Sequence, residues 1–318
     1  MRPLSLFCLN TSRTYSSRVA AHLGIELADH EERHFEDGEH KCRSLIDVCG
    51  HDVYVVHSLH GDSSESVDKK LCKLLFFIGS LKDVGAHRVT AVMPYLCYSR
   101  KDQRTQPHDP TTTRYVAAMF EAVGVDRVAT IDVHNVAAYE NAFRCRRKNL
   151  KAKPLFIAHF SELARSQNVV VVAPDFGGAK RAEDFRKDLA QTIGSPIELA
   201  VMEKHRSGGV VSGSALSGDV AGKTAIILDD LISTGGTLRR AAHACRAGGA
   251  NRVYAAATHG LFMPGASELL ADTAIDAIVV TDTITPDRLD ITQYGGRLKT
   301  LESSKLIADA IKRWHEND

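Results

Sequence analysis

Seven short runs rich in β-branched residues punctuate the chain: DVYVVHSL, RVTAVMPYL, RVATIDVH, VVVVAPD, TAIILDD, RVYAAATHG and AIVVTDTI. Longer stretches of helical character separate them. Apolar strands alternating with helices specify parallel sheets covered by helices, because a parallel connection needs a crossover of helical length. One α-to-β connection recurs three times, as Gly85-Ala-His-Arg-Val, Gly124-Val-Asp-Arg-Val and Gly249-Ala-Asn-Arg-Val. In each, glycine suits the left-handed residue after a helix and valine opens a strand. At 318 residues the chain is long for one hydrophobic core, so two domains are expected.

The stretch RCRRKNLKAKP, Arg144 to Pro154, is basic, poor in large apolar residues and closed by proline. It is the natural junction, giving domains over residues 1–148 and 149–302, although its charges equally suit a solvated helix end. Leu306, Ile307, Ala310, Ile311 and Trp314 form one stripe on a final helix over residues 303–315. That apolar face should pack back on the first domain.

Composition narrows the function. Lys+Arg 40 against Asp+Glu 39 gives a net charge of +1, with no sustained basic block. A nucleic-acid partner is therefore not expected. The N-terminal apolar run is too short for a signal peptide, and Leu71–Ile78 contains Lys73 and falls short of a membrane span. Seven cysteines without a CxxC pair fit small core residues in a reduced compartment. The chain reads as cytoplasmic. His57 and His60 stand three apart without further metal ligands nearby and read as core or solvated histidines.

Several strands end in polar groups: Tyr98-Ser99-Arg100, Asp132 with His134, Asp175, and Asp229-Asp230. Ligands of open α/β sheets bind beyond the carboxyl ends of strands, so these ends mark a site. The most informative is ILDDLISTGGT, residues 227–237. Ala225 to Leu228 reads as strand, ended by Asp229 and Asp230; residues 232–237 read as loop, and LRRAAHACRAGG as helix. Glycines let backbone N–H groups crowd an anion, hydroxyls add donors, and the helix terminus adds partial positive charge. No lysine occupies the place a nucleotide P-loop would need. Two acids would repel a phosphate but suit sugar hydroxyls, so acids and loop together suggest a sugar phosphate. The plain alternative is an Asp-rich turn capped by Ser and Thr.

AIILDDLISTGGT resembles the phosphoribosyl pyrophosphate motif shared by phosphoribosyltransferases and ribose-phosphate pyrophosphokinases. FEDGE (residues 35–39), PYLCYSRKDQR (94–104), DVH (132–134), PDFGGAKRA (174–182), EKHR (203–206) and THG (258–260) follow in order. Together they resemble the ribose-phosphate pyrophosphokinase (PRPP synthetase) family over nearly the whole chain. The resemblance implies two tandem phosphoribosyltransferase-like domains, each a mostly parallel sheet flanked by helices. It implies an enzyme that passes the terminal diphosphate of ATP to the C1 hydroxyl of ribose 5-phosphate. Asp229 and Asp230 would then hold the ribose, and Ser233, Thr234, Gly235, Gly236 and Thr237 its phosphate. His134 and Asp175 would lie near Mg²⁺. Arg100, Lys101 and Asp102 would hold ATP, while Phe35, Asp37 and Glu39 would reach the adenine of a neighbouring subunit. A homodimer is thus the minimal unit, with tetramers and hexamers left open. Lys204 and Arg206, two apart and on one side if the segment is extended, would close over the diphosphate as catalytic cations.

The chain departs from the family pattern in places. Ser233 stands where many members carry a third acid, Phe176 where a histidine often follows the aspartate, and GDSSESVDKK where an Asn-containing segment is usual. HKCRSLIDVCG lacks the Glu-Ser-Arg pattern associated with phosphate activation, so weak or absent dependence on free phosphate is expected. A catalytically silent relative, a related sugar-phosphate kinase and a phosphoribosyltransferase remain the alternatives.

Overall fold

The computed structural model describes residues 2–317 except 208, 209, 287, 290–293 and 295; the side chains of 203–214 also lie outside the described residues. The chain divides into two compact units, residues 1–151 with 303–318, and residues 152–302.

The first unit follows the order β1 (Leu4–Cys8), α1 (Arg13–Leu23), β2 (His30–His34), β3 (His40–Ser44), β4 (Asp52–Val56), α2 (Val67–Asp83), β5 (Arg88–Met93), α3 (Thr112–Ala122), β6 (Arg127–Ile131), α4 (Val136–Ala142) and β7 (Arg146–Leu150). Its main sheet has the order β1-β4-β5-β6-β7 and is parallel throughout. Every residue of β4 and β6 is buried, as expected of strands covered on both faces. Phe77 of α2 meets Phe7 of β1 edge-on at 5.3 Å, and Phe143 packs on Tyr139 at 5.2 Å. β2 and β3 form a separate antiparallel hairpin.

The second unit comprises α5 (Lys153–Ser166), β8 (Val169–Ala173), α6 (Ala179–Ile193), β9 (Glu198–Ser207), β10 (Val210–Ser217), β11 (Thr224–Ile232), α7 (Gly236–Ala247), β12 (Arg252–Gly260), α8 (Ala266–Ala271), β13 (Ala277–Thr281) and β14 (Leu298–Leu301). Its sheet runs β10-β9-β8-β11-β12-β13-β14, with only the β9–β10 pair antiparallel. Phe160 of α5 anchors the cover by edge-on contact with Tyr254 at 5.9 Å and Phe185 at 6.4 Å. The last helix, α9 (Ser304–Asn317), belongs to the first unit and packs on α1. Ile307, Ala308, Ala310 and Ile311 are buried there, and Tyr15 hydrogen-bonds Ser303 at 3.1 Å. Among the described residues no helix is long and apolar enough to cross a membrane.

The repeated connection takes the same form in both units. Gly85, Gly124 and Gly249 have φ of 88°, 85° and 86°, and β5, β6 and β12 each begin at the arginine that follows. Asp126 accepts the Val89 N–H at 2.7 Å, and Asp276 accepts the Val253 N–H at 2.6 Å.

Two local readings need correction. Arg146–Leu150, inside the basic stretch that holds the division between the units at 151/152, is no solvated helix end but strand β7 paired with β6. An edge strand tolerates a charged sequence because its outer side faces water, and charge there discourages unwanted pairing. Asp229 and Asp230 do not end their strand either: β11 continues to Ile232 because β12 supplies partners as far as Gly260. Pairing with β8 stops at Ile227, so the acids lie on a stretch paired on one side only.

Candidate functional site

In the second unit the stretch ILDDLISTGGT and the residues after it form a strand, a tight loop and a helix. Ser233, Thr234 and Gly235 turn the chain from β11 into α7, whose N-cap is Gly235 with φ of 84°. A Cβ at Gly235 would lie 2.7 Å from Leu269, so close approach and left-handed backbone both require glycine. Thr234 is exposed, while Ser233, Gly236 and Thr237 are half-buried around the start of α7. Helix-initial N–H groups have no intrahelical acceptor, so this end of α7 favours an anion. Thr237 Oγ1 accepts from Arg240 at 3.3 Å, which keeps a cation beside the cradle.

Asp230 is buried and Asp229 half-buried. Burial, and then the adjoining Asp230 charge, push the Asp229 carboxyl well above the usual carboxylate range against the opposing pull of Arg181. Arg181 of α6 spans the two acids, with Nη1 3.2 Å from Asp229 and Nη2 3.4 Å from Asp230. It was not among the site residues read from the sequence. The signal was available in PDFGGAKRA: Lys180 and Arg181 occupy the first turn of α6, where the helix dipole disfavours cations. Asp175 follows β8, the sheet neighbour of β11, and its Oδ1 accepts the Gly178 N–H at 3.0 Å. The structure thus gathers Asp175, Arg181, the acid pair and the cradle at the carboxyl ends of adjacent strands. Phe176 beside them is 65% exposed. The backbone of Lys204 and Arg206 runs in β9, opposite Ser214 and Val211 of β10; their side chains lie outside the described residues.

In the first unit the corresponding strand ends carry backbone strain. Tyr98 (φ 55°) lies beyond β5 and Asp132 (φ 40°) just beyond β6, conformations that non-glycine residues adopt at a cost and that cluster at functional sites. Tyr98 is exposed and hydrogen-bonds Asp68, whereas Tyr95 packs in the interior. His134 is exposed. Asn135 beside it caps α4 and donates from Nδ2 to Asp102 at 2.5 Å, tying the SRKDQR loop to the His134 strand end. Arg100 is exposed. Lys101 is held by Asp109 at 2.5 Å, and Asp109 also accepts the Thr105 and Gln106 N–H groups. Phe35, Asp37 and Glu39 stand on the tip of the β2–β3 hairpin, all exposed. There Phe35 N–H donates to Glu39 O, and Asp37 Oδ1 accepts the Glu39 N–H at 3.0 Å. Arg33 lies over the Phe35 ring at 5.1 Å.

Comparison with known proteins decides the family. The description "N-terminal domain of ribose phosphate pyrophosphokinase" matches residues 4–124, and "Phosphoribosyl synthetase-associated domain" matches residues 209–318. Ribose-phosphate pyrophosphokinase 2 of Enterococcus faecalis is 35% identical over 318 residues, 99% of this chain and 94% of the relative. The chain belongs to the ribose-phosphate pyrophosphokinase family. Another member, the ribose-phosphate pyrophosphokinase of Caldanaerobacter subterraneus, is 36% identical over 315 residues, 98% of this chain and 95% of its own. Phosphoribosylpyrophosphate synthetase from Mycobacterium smegmatis has the same architecture, with a TM-score of 0.88 and 30% identity over 100% of both chains. The two-domain, phosphoribosyltransferase-like α/β fold expected from the motifs is the fold of the family.

Among the described residues no three His, Cys, Asp or Glu side chains converge as a metal cage. Of the candidate metal residues of the family pattern, His134 offers one imidazole at a strand end of the first unit and Asp175 one carboxylate at a strand end of the second. A lone carboxylate suits Mg²⁺, which keeps several waters and binds through few carboxylates together with substrate phosphates.

Proposed function

We propose that the protein transfers the β,γ-diphosphate of ATP to the C1 hydroxyl of ribose 5-phosphate, releasing AMP and 5-phosphoribosyl 1-diphosphate. The observation that carries this reading is the acid pair of β11 running directly into the glycine-lined start of α7, in a chain of this family. Asp229 and Asp230 accept from the ribose hydroxyls, and Ser233 to Thr237 hold the 5-phosphate. The C1 oxygen attacks the β-phosphorus, the bond from that phosphorus to the α-bridging oxygen breaks, and the hydroxyl proton leaves to solvent. Little covalent work falls to the protein, so positioning and placed charge supply most of the rate. Arg100, Lys101 and Asp102 hold ATP; Phe35, Asp37 and Glu39 complete the adenine site of a neighbouring subunit, which makes a homodimer the minimal unit. Mg²⁺ near His134 and Asp175 would neutralise phosphate charge when bound. Lys204 and Arg206 stabilise the charge that develops on the diphosphate.

Phosphorus NMR of the protein with Mg²⁺, ATP and ribose 5-phosphate tests the reading. AMP with a C1 diphosphate ester supports it. ADP with a monophosphate ester would indicate a sugar-phosphate kinase, and binding of both substrates without turnover a silent relative. Lys204→Ala should lower turnover by about 10²–10³ while leaving ATP binding intact; near-normal turnover would remove Lys204 from the mechanism.

A further inference from the structure

Beside the first residues of β6 and β7, away from the strand ends that carry Asp132 and His134, the first unit holds a cavity of ≈ 560 Å³ lined by Arg127, Glu140, Arg146, Arg147, Lys148 and Trp314. Arg127, Arg146 and Lys148 share one face at the sheet edge, because side chains alternate along β7. The β6–β7 register sets Arg127 directly opposite Arg146, a like-charge pairing that costs stability in a sheet. Arg127 is only 4% exposed, and its guanidinium lies 5.0 Å from the Trp314 ring centroid. Charge on an edge strand guards against unwanted pairing, and that alone would account for the exposed Arg147 and Lys148. It does not account for a buried arginine against a tryptophan, nor for the concave grouping of cations drawn from two strands.

We propose that this pocket binds a compact oligophosphate group, inorganic or esterified, with Arg146 and Lys148, which share one face of β7, on the phosphoryl oxygens and Trp314 beside Arg127 as the wall. The charge count favours this class, because several negative charges within one small group match cations set at alternate positions of β7 and opposite them on β6. A low-dielectric wall strengthens the attraction further. The site is separate from the residues assigned to catalysis, and its test does not depend on turnover.

Trp314 is the single tryptophan of the chain, so its fluorescence reports on this pocket. The full-length protein is titrated with inorganic tripolyphosphate, without Mg²⁺ and at constant ionic strength. A saturable fluorescence change is expected, with Kd raised about tenfold or more in the double variant Arg146→Gln/Lys148→Gln. The variant Lys187→Gln/Lys305→Gln, an equal charge loss at exposed positions on α6 and α9, should leave Kd unchanged. No saturable change, equal weakening in both variants, or an unaltered Kd in the first would each overturn the proposal. A nucleoside triphosphate that binds more tightly than tripolyphosphate would identify an ester as the occupant; equal binding would identify the inorganic anion.

Discussion

Burial and the adjoining Asp230 charge raise the Asp229 carboxyl, and a raised acid has a definite effect on stability. In the unfolded chain the group loses its proton near the ordinary carboxylate value, while the folded protein retains it to higher pH. Stability is therefore fully present below the unfolded value and lost as pH rises through the folded one. Asp229→Asn should raise the melting temperature at neutral pH by about 2–4 °C while weakening ribose 5-phosphate binding. Thermal scans should show the gain vanish below about pH 4. Arg181 is the counterpart, since it lies within 3.4 Å of both acids: Arg181→Gln should lower the melting temperature at neutral pH and lose that effect in acid. Gly235→Ala meets Leu269 at 2.7 Å with φ of 84° and should cost about 1–3 kcal/mol in urea denaturation.

Helix α2 shows where the sequence was legible and where it was not. Its apolar run was plain, and Ser66 caps it by accepting from the Lys69 N–H at 3.2 Å. What remained hidden is that Lys70 and Lys73 are buried within it, 0% and 2% exposed. Their partners come from elsewhere in the chain: Asp62 for Lys70, and Glu65 together with Glu32 of β2 for Lys73. No local pattern encodes such pairing. Burial opposes ionisation of Glu32, but hydrogen bonds from His30, Lys73 and the Asn10 N–H hold its pKa down at about 2. A depressed acid contributes stability above its unfolded value and loses it as pH falls toward the folded one. Glu32→Gln should thus cost about 2 kcal/mol in denaturant at pH 7, and its deficit should close between the ordinary glutamate value and about 2. The strand–loop–helix around Ser233 to Thr237 was legible because its glycines and hydroxyls act locally. β7 and Arg181 were not, since an edge strand of Arg and Lys defies strand propensity and Arg181 gains meaning only opposite β11.

Each unit builds a main sheet that uses the same glycine connection, ahead of β5 and β6 in the first and β12 in the second; the second also holds the acid pair, and the first the separate hairpin. If the hairpin completes a neighbour's adenine site, dilution should lower specific activity as dimers separate, checked by activity against sedimentation. Initial rates with and without added phosphate should agree to within a few-fold. Truncating Ile311, fully buried on α9, to alanine should cost about 2–4 kcal/mol, read by hydrogen exchange on β1. The membership of α9 in the first unit also fixes an order of events on the ribosome. Residues 152–302 emerge complete before the helix that covers α1 has been made. The unit begun first is finished last, and until the final turns leave the exit tunnel the apolar side of α1 must be shielded by chaperones or by transient contacts of its own.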